Sequence, residues 1–207
     1  MTTQQWIQLR TRRSANPTHR SVVVIDMAGS ARRDNMTQLR TRMALDRMVR
    51  ASLRTAGISR WRLAIEDRGD GMIVLLPATV SKVDILDPFV PLLASRLRDH
   101  NSVAAAGSRI RVRVAVHAGE VLRLATGWVG ADLNLACRLV NSEPLYLELA
   151  RHPSVDLVLA ISEVIHDGIV RHGYRGIRPS GFIPVRVAVK EADTRAWLLA
   201  SNSEPAQ

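Results

Sequence analysis

Two short apolar runs, each with an aspartate at one end, constrain this chain more than any other feature. The run Val22–Ile25 leads into Asp26, and the turn Arg68–Gly71 places Asp70 next to the run Met72–Leu76. Continuous apolar runs bounded by glycine and proline predict buried strands. A carboxylate at the end of a buried strand must be paired or bind a cation, because burying it alone costs several kcal/mol.

The two aspartates together indicate a divalent cation rather than a structural ion pair. Two carboxylates side by side would repel each other unless a cation lay between them. Hard cations such as Mg²⁺ take one or two carboxylates and leave their other positions to water and substrate phosphates. The pattern therefore predicts a metal–phosphate site at Asp26 and Asp70.

Length and composition allow a single folded domain. A chain of 207 residues with 46% hydrophobic content can bury a full core. We divide it into a basic N-terminal arm (1–20), a folded domain (21–200) and a short tail (201–207). No apolar run approaches the roughly 20 residues that span a membrane. The N-terminus lacks the apolar core of a signal peptide, and the single cysteine, Cys137, suits a reducing compartment, so we expect a cytoplasmic protein without membrane contact.

The positive charge restricts the partners. The formal net charge is +10, and only two of the 29 basic residues are lysines. Such a surface attracts nucleic acids, acidic membranes or nucleoside triphosphates. Aromatic residues make up only 4% of the chain, so there is no stacking platform for bases. Solvated basic faces and a flexible arm are favoured over nucleic-acid binding.

Hydrophobic periodicity predicts alternating strands and helices. Strands are expected at 21–27, 61–66, 71–76, 109–117, 120–125, 156–161, 182–189 and 195–200, and helices at 36–56, 82–100, 131–142, 143–151 and 162–171. Pro88 and Pro91 should kink or delay the second helix. In 109–117, arginines alternate with apolar residues, which predicts a strand with one solvent-exposed face.

The first six elements follow the order β-α-β-β-α-β. This is the ferredoxin-like order of an α+β fold. It places the end of the first strand beside the turn between the second and third strands. Asp26 and Asp70 should therefore lie within reach of one metal ion.

A third motif follows the strand at 109–117. Asn134 and Arg138 are four residues apart and share a helix face. An amide and a guanidinium on one face can orient a ribose and hold the charge that develops on a transferring phosphoryl group. This spacing is weak on its own and gains weight from the two aspartates that precede it.

In this order, the motifs resemble the class III nucleotidyl cyclases, the adenylyl and guanylyl cyclase family. The resemblance covers residues 20–200. Four stretches carry it: Val24–Ser30, Ile65–Met72, Arg113–Val121 and Asn134–Leu139.

The resemblance implies the class III cyclase fold, a palm core with a C-terminal extension, and the conversion of a nucleoside triphosphate to a 3′,5′-cyclic nucleotide and pyrophosphate. Asp26 and Asp70 would bind two Mg²⁺ or Mn²⁺ ions, with the Met27 carbonyl as an additional ligand. Asn134 would position the ribose. Arg138 would stabilise the α-phosphate in the transition state.

Further residues would contact the phosphates of the substrate. Gly29 and Ser30, in the loop after the first strand, would offer backbone N–H groups to phosphates. Lys190 or Arg186 would contact the terminal phosphates. His117 is expected to satisfy local hydrogen bonds rather than to act in catalysis.

The family's active sites lie between two subunits. The aspartates come from one chain, and the asparagine, the arginine and the base-reading residues come from the other. This chain carries both sets, so the resemblance implies a head-to-tail homodimer with two equivalent sites. A symmetric dimer is also the commonest oligomer.

The base-reading positions depart from the family pattern. Glu66 stands where adenylyl cyclases usually have lysine and guanylyl cyclases have glutamate. The second base-reading position falls near Gly127, which matches neither class, so adenine fits least well. The chain also resembles the small bacterial pyrimidine cyclases of antiphage signalling, which make cyclic UMP or cyclic CMP. Glu66, Arg68 or Arg62 would then read a pyrimidine edge, a reading narrowly favoured over GTP.

Three other functions compete with the cyclase reading. A catalytically degenerate cyclase fold could sense nucleotides, but both aspartates, Asn134 and Arg138 are present. A basic nucleic-acid-binding protein would show salt-sensitive binding and no turnover. A diguanylate-cyclase-like palm enzyme would lack the helix with Asn134 and Arg138.

Overall fold

The computed structural model describes residues 16–59, 63–189 and 192–199. Within these ranges the strands are β1 (Thr18–Met27), β2 (Ala64–Asp67), β3 (Gly71–Pro77), β4 (Val112–Leu124), β5 (Gly127–Val129), β6 (Leu157–Ser162), β7 (Phe182–Val189) and β8 (Ala192–Leu199). The helices are α1 (Asn35–Thr55), α2 (Val90–Val103), α3 (Ala131–Val140), α4 (Glu143–Arg151) and α5 (Glu163–Gly168), and single helical turns lie between some of these elements.

One mixed sheet organises the fold. Its strand order is β2-β3-β1-β4-β6-β8-β7, and β5 pairs with β4. All pairs are antiparallel except β4 with β6. The first four strands have the order of a ferredoxin-like palm, and β6 to β8 extend the sheet beyond β4. The predicted α+β palm core with a C-terminal extension is therefore confirmed.

Helices cover both faces of the sheet. On one face, α1 and α2 pack against Val112, Val114 and Val116 of β4. On the other face, α3 and α4 pack against Ala115 and neighbouring strands. The buried apolar surface of these two layers is the main stabilising contribution to the fold.

The prediction of a solvent-exposed face on the strand at 109–117 was wrong. Arg113, Ala115 and His117 point to the α3 side of β4 and are at most 6% exposed. The alternation of arginine with valine reflects two covered faces of different polarity. The same strand continues to Leu124, so the separately predicted strand at 120–125 is its second half.

Helix α1 matches the predicted helix at 36–56 closely, and the second long helix starts late, as its prolines lead us to expect. Helix α1 begins after Asp34, whose side chain accepts the Thr37 N–H, and is followed by Gly57 with a φ of 75°. The predicted helix at 82–100 is interrupted before α2. Asp87, next to Pro88, has non-helical dihedral angles, as expected for a residue that precedes proline.

Other boundaries shift by a few residues. β1 begins at Thr18, three residues earlier than predicted, and β2 covers the second half of the predicted strand at 61–66. Residues 60–62, which include Arg62, lie outside the described residues. Lys190 lies outside them too.

Candidate active site

The register of β1 and β3 brings the two aspartates to the same end of the sheet. Asp26 is paired with Gly71, the residue after Asp70. A Cβ at Gly71 would lie 2.3 Å from the Ile25 carbonyl oxygen, so only glycine allows this close approach. The Met27 N–H donates to the Asp70 carbonyl at 3.1 Å. The two carboxylates therefore project from adjacent, hydrogen-bonded segments.

Both aspartates line an open cavity of about 610 Å³. Its wall also includes groups of opposite charge and a polar helix face. The polar and aromatic lining residues are Asp26, Arg68, Asp70, Arg113, Trp128, Asn134, Cys137, Asn141 and Tyr146. Carboxylates, guanidinium groups and an amide in one cavity can bind a metal ion together with an anionic ligand.

The surroundings of Asp26 disfavour its charged form relative to water. Its side chain is 18% exposed, and it forms an ion pair with Arg113. Burial raises its pKa above the usual value for aspartate, and the negative charge of Asp70 raises it further. The ion pair and hydrogen bond with Arg113 lower the pKa, but the net direction is upward.

Arg113 is a site residue that the sequence did not reveal. Its side chain is 8% exposed, lies against Asp26 and stacks over the Tyr146 ring at 3.8 Å from the ring centroid. Its Nε is buried without a hydrogen-bond partner among the described residues. The position of Arg113 between valines could have indicated a buried arginine. It was missed because this face of the strand was expected to be exposed to solvent.

Asp70 is exposed at the turn and is held from the β1 side. The Ser30 hydroxyl donates to its Oδ2 at 2.9 Å. Ser30 begins a single helical turn directly after Gly29, which has a φ of 69°. The Ser30 side chain therefore contacts the candidate metal ligand, which differs from the backbone role given to this loop by the sequence resemblance.

Met27, the remaining candidate ligand, ends β1. Its side chain is 3% exposed, and its sulfur lies 2.6 Å from an Arg33 nitrogen. Its backbone faces the turn of Asp70, because its N–H donates to the Asp70 carbonyl. The role of its carbonyl as a ligand remains a prediction.

The two positions predicted to read the base, Glu66 and Gly127, lie next to each other. A Cβ at Gly127 would lie 3.0 Å from Glu66 Oε1, and Gly127 has a φ of 136°, which favours glycine. Arg68 donates to Glu66 Oε2 at 3.0 Å. Burial raises the pKa of the nearby Cys137 thiol, Arg68 opposes that rise and Glu66 adds to it. Arg68 and Cys137 line the cavity, and Glu66 reaches it through its bond to Arg68.

Helix α3 presents the polar helix face. Asn134 is exposed and lines the cavity. Arg138 lies one turn further on, is half-buried and is outside the cavity lining within the described residues. The structure therefore brings Asn134 to the aspartates of its own chain more directly than it brings Arg138.

The N-terminus of α3 is anchored by a series of hydrogen-bonded polar side chains that starts at the buried His117. His117 Nδ1 lies 2.8 Å from Ser162 Oγ, and His117 Nε2 lies 3.1 Å from Asp132 Oδ1. Asp132 Oδ2 accepts the Glu120 N–H at 2.6 Å. A Cβ at Gly119 would lie 2.1 Å from this carboxylate. The bonds of His117 are long-range in sequence rather than local, and they connect β4, β6 and α3.

Arg186 lies away from these groups. It is on β7, at the far edge of the sheet from β2, and it pairs with Asp193 through two hydrogen bonds of 2.8 Å and 2.5 Å. Its side chain is 79% exposed. Within one chain, it does not reach the cavity that Asp26 and Asp70 line.

Solved structures with the same fold were found across most of the chain. The adenylate/guanylate cyclase/hydrolase from Silicibacter pomeroyi is 19% identical, with a TM-score of 0.63 over 91% of this chain and 99% of that one. The guanylyl cyclase Cya2 is 16% identical, with a TM-score of 0.64 over 93% and 96%. The adenylyl cyclase CyaB from P. aeruginosa is 12% identical, with a TM-score of 0.61 over 93% and 99%.

The chain has the class III nucleotidyl cyclase fold. Identities below 20% support this cyclase fold and not a particular activity. No protein-family model matches the chain, and no curated protein does. In the described part of this cyclase fold, no helix has the length and apolarity that a membrane span requires.

Proposed function

We propose that this chain is a metal-dependent nucleotidyl cyclase, which converts a nucleoside triphosphate to a 3′,5′-cyclic nucleotide and pyrophosphate. One observation carries the proposal: Asp26, Asp70, Arg113 and Asn134 line a single cavity in a class III cyclase fold. The fold alone would not support an activity. The carboxylates, cations and amide supply the groups that a phosphoryl-transfer site needs.

The residues present fit divalent cations. Burial raises the pKa of Asp26 and the charge of Asp70 raises it further, and a cation between the two carboxylates would stabilise the charged form. Among the described residues, no cluster of three or more histidine, cysteine or acidic side chains forms a closed cage. Two carboxylates with open positions suit Mg²⁺ or Mn²⁺ together with substrate phosphates. When bound, the ions would lower the pKa of the ribose 3′-hydroxyl and neutralise the triphosphate.

The chain's own groups would orient the substrate. Asn134 would hydrogen-bond the ribose, and Arg138 would stabilise the charge on the α-phosphate as the 3′-oxygen attacks and pyrophosphate leaves. Arg113, already beside Asp26, is placed to neutralise phosphate oxygens. Gly29, Ser30 and Lys190 keep the phosphate-contact roles that the sequence resemblance gives them.

For the base, we propose a pyrimidine, with GTP as the alternative. Arg68 and Glu66 offer a hydrogen-bond donor and an acceptor side by side, and Gly127 adds no side chain next to them. This pair matches the N3–H and carbonyl edge of uracil, and also the N1–H and O6 edge of guanine. The preference for UTP or CTP rests on the resemblance to the small pyrimidine cyclases.

The same resemblance motivates a role in antiviral defence, in which the cyclic pyrimidine nucleotide would be a second messenger. A bacterial host that expresses the protein should accumulate the cyclic nucleotide after phage infection. Accumulation without infection, or none at all, would contradict the defence role and leave the chemistry to be judged by the purified protein.

The activity is tested with purified protein, Mn²⁺ and each of ATP, GTP, CTP and UTP, with products identified by mass spectrometry. A cyclic mononucleotide from UTP or CTP is expected. Cyclic GMP alone would favour the guanylyl cyclase alternative. Nucleotide binding without product would favour a degenerate nucleotide-sensing module, for which the ion pair of Asp26 with Arg113 is the supporting observation.

A further inference from the structure

The turn that carries Asp70 is held by an arginine from helix α1. Arg42 donates to the Gly69 carbonyl at 2.5 Å and forms an ion pair with Asp67. Within the turn, Asp67 Oδ1 accepts the Gly69 N–H at 2.8 Å. One guanidinium therefore contacts the two sides of the turn immediately before Asp70.

The turn needs such a restraint. Gly69 has a φ of 88° and no side chain to limit its motion, and Asp70 is exposed. On the β1 side, Asp70 is restrained by Ser30 and by the Met27 N–H. On the α1 side, the contact with Gly69 and Asp67 comes from Arg42. The planar guanidinium can bond a carbonyl and a carboxylate at once, which a lysine cannot do in the same geometry.

We infer that Arg42 is a positioning residue for the divalent-cation site: it fixes the turn so that the Asp70 carboxylate faces Asp26. The inference rests on the proposed function. It predicts that removal of a positive charge near the site weakens cation binding. Removal of a nearby positive charge should by itself strengthen cation binding, whereas loss of the turn's position should weaken it.

Arg50 is a matched control on the same helix. Both arginines line a cavity of about 350 Å³ between α1 and the β2–β3 hairpin. Their side chains are similarly exposed, at 36% for Arg42 and 40% for Arg50. Arg50 pairs with Asp46, one turn earlier in α1. Its removal changes the charge equally and leaves the turn untouched.

The test is Mn²⁺ binding to the full chain, measured by titration calorimetry without nucleotide. Arg42→Ala should raise the Kd for Mn²⁺ by about 10-fold or more, as expected when a residue that orients a metal ligand is lost. The Kd of Arg42→Lys should lie between those of Arg42→Ala and the unsubstituted protein. Arg50→Ala should leave the Kd unchanged or lower it. Equal or tighter binding by Arg42→Ala would overturn the inference.

Two further measurements keep the test independent of folding and of the proposed function. Exposed ion pairs contribute little, so the melting temperature of Arg42→Ala should stay within about 2 °C of the unsubstituted protein. If Arg42→Ala does not fold, Asp67→Asn replaces it, and faster amide exchange at 67–71 is expected. Exchange decides the outcome for this variant, because loss of the Asp67 charge would by itself weaken Mn²⁺ binding. Unchanged exchange would overturn the inference. Absence of Mn²⁺ binding by the unsubstituted protein would instead overturn the proposed metal site.

Discussion

The charged form of Asp26 reduces the stability of the fold. Burial and the charge of Asp70 raise its pKa, so the neutral carboxyl is favoured more in the folded state than in the unfolded state. The stability of the fold should therefore decrease as the pH rises from the unfolded pKa through the raised folded pKa. A residue retained in such a state is typical of a functional site.

Asp26→Asn tests this directly. In metal-free buffer, the variant should melt at a higher temperature than the unsubstituted protein at pH 7, and the difference should shrink as the pH falls and Asp26 becomes protonated. Mn²⁺ should stabilise only the unsubstituted protein. Thermal melts between pH 3 and pH 7 measure both effects. A variant that is less stable at pH 7 would show that the ion pair with Arg113 outweighs the cost of burial.

Arg113 is the residue whose removal should cost the fold most at this site. Arg113→Met would leave Asp26 without its cation in a largely buried place, so we expect a loss of about 3 kcal/mol in the free energy of unfolding. Tyr146→Phe keeps the aromatic face under the guanidinium and is the control with little change. Urea unfolding measures both. A loss below about 1 kcal/mol would mean that Arg113 is not the main partner of Asp26.

At the scale of elements, α3 connects the site to the sheet. The hydrogen bonds that join Ser162, His117 and Asp132 fix the helix that carries Asn134. Gly119 makes this connection possible, because any side chain there would meet the Asp132 carboxylate. The position of Asn134 therefore depends on residues that lie outside the lining of the cavity.

Gly119→Ala should lower kcat through a shift of α3 while the protein still folds. The added methyl group should displace Asp132 and shift α3, and a displacement of about 1 Å can reduce turnover about 100-fold. Gly107→Ala is the control, because a Cβ there meets nothing within 4 Å. Circular dichroism should show that both variants fold, and kcat should fall only in Gly119→Ala. Equal kcat values in the two variants would contradict the anchoring role.

The elements that the sequence predicts well are those whose structure is determined by neighbouring residues in the chain. The order of the palm strands follows from apolar runs and glycine turns, and α1 follows from its cap and periodicity. Burial of Arg113 and His117 could not be predicted, because it depends on α3 and α4 covering a face of β4. The meeting of Glu66 with Gly127 likewise depends on the pairing of distant strands.

For the whole molecule, we expect a dimer in which each site takes Asp26 and Asp70 from one chain and Asn134 and Arg138 from the other. Within one chain, Asn134 and the aspartates also line a common cavity. The arrangement of subunits therefore decides which asparagine serves which pair of aspartates.

Mixing two inactive variants distinguishes these arrangements. When Asp70→Ala and Asn134→Ala chains are co-refolded in equal amounts, half of the dimers should be mixed, and each should hold one intact site. Activity should then recover to about a quarter of that of the unsubstituted dimer. Recovery is measured as cyclic nucleotide formed per chain. No recovery, with mixed dimers detected by light scattering and tagged pull-down, would show that each site is built within one chain.

The most direct test of the central claim is the turnover of Asp70→Ala beside that of the unsubstituted protein, measured as cyclic nucleotide and pyrophosphate formed with Mn²⁺. Because Asp70 is exposed at a turn, the variant should keep its melting temperature and its dimer. We expect both products to be lost together, because the candidate metal site would retain only one carboxylate. Turnover that survives in the folded variant would contradict the assignment of Asp26 and Asp70 as the metal ligands of a cyclase.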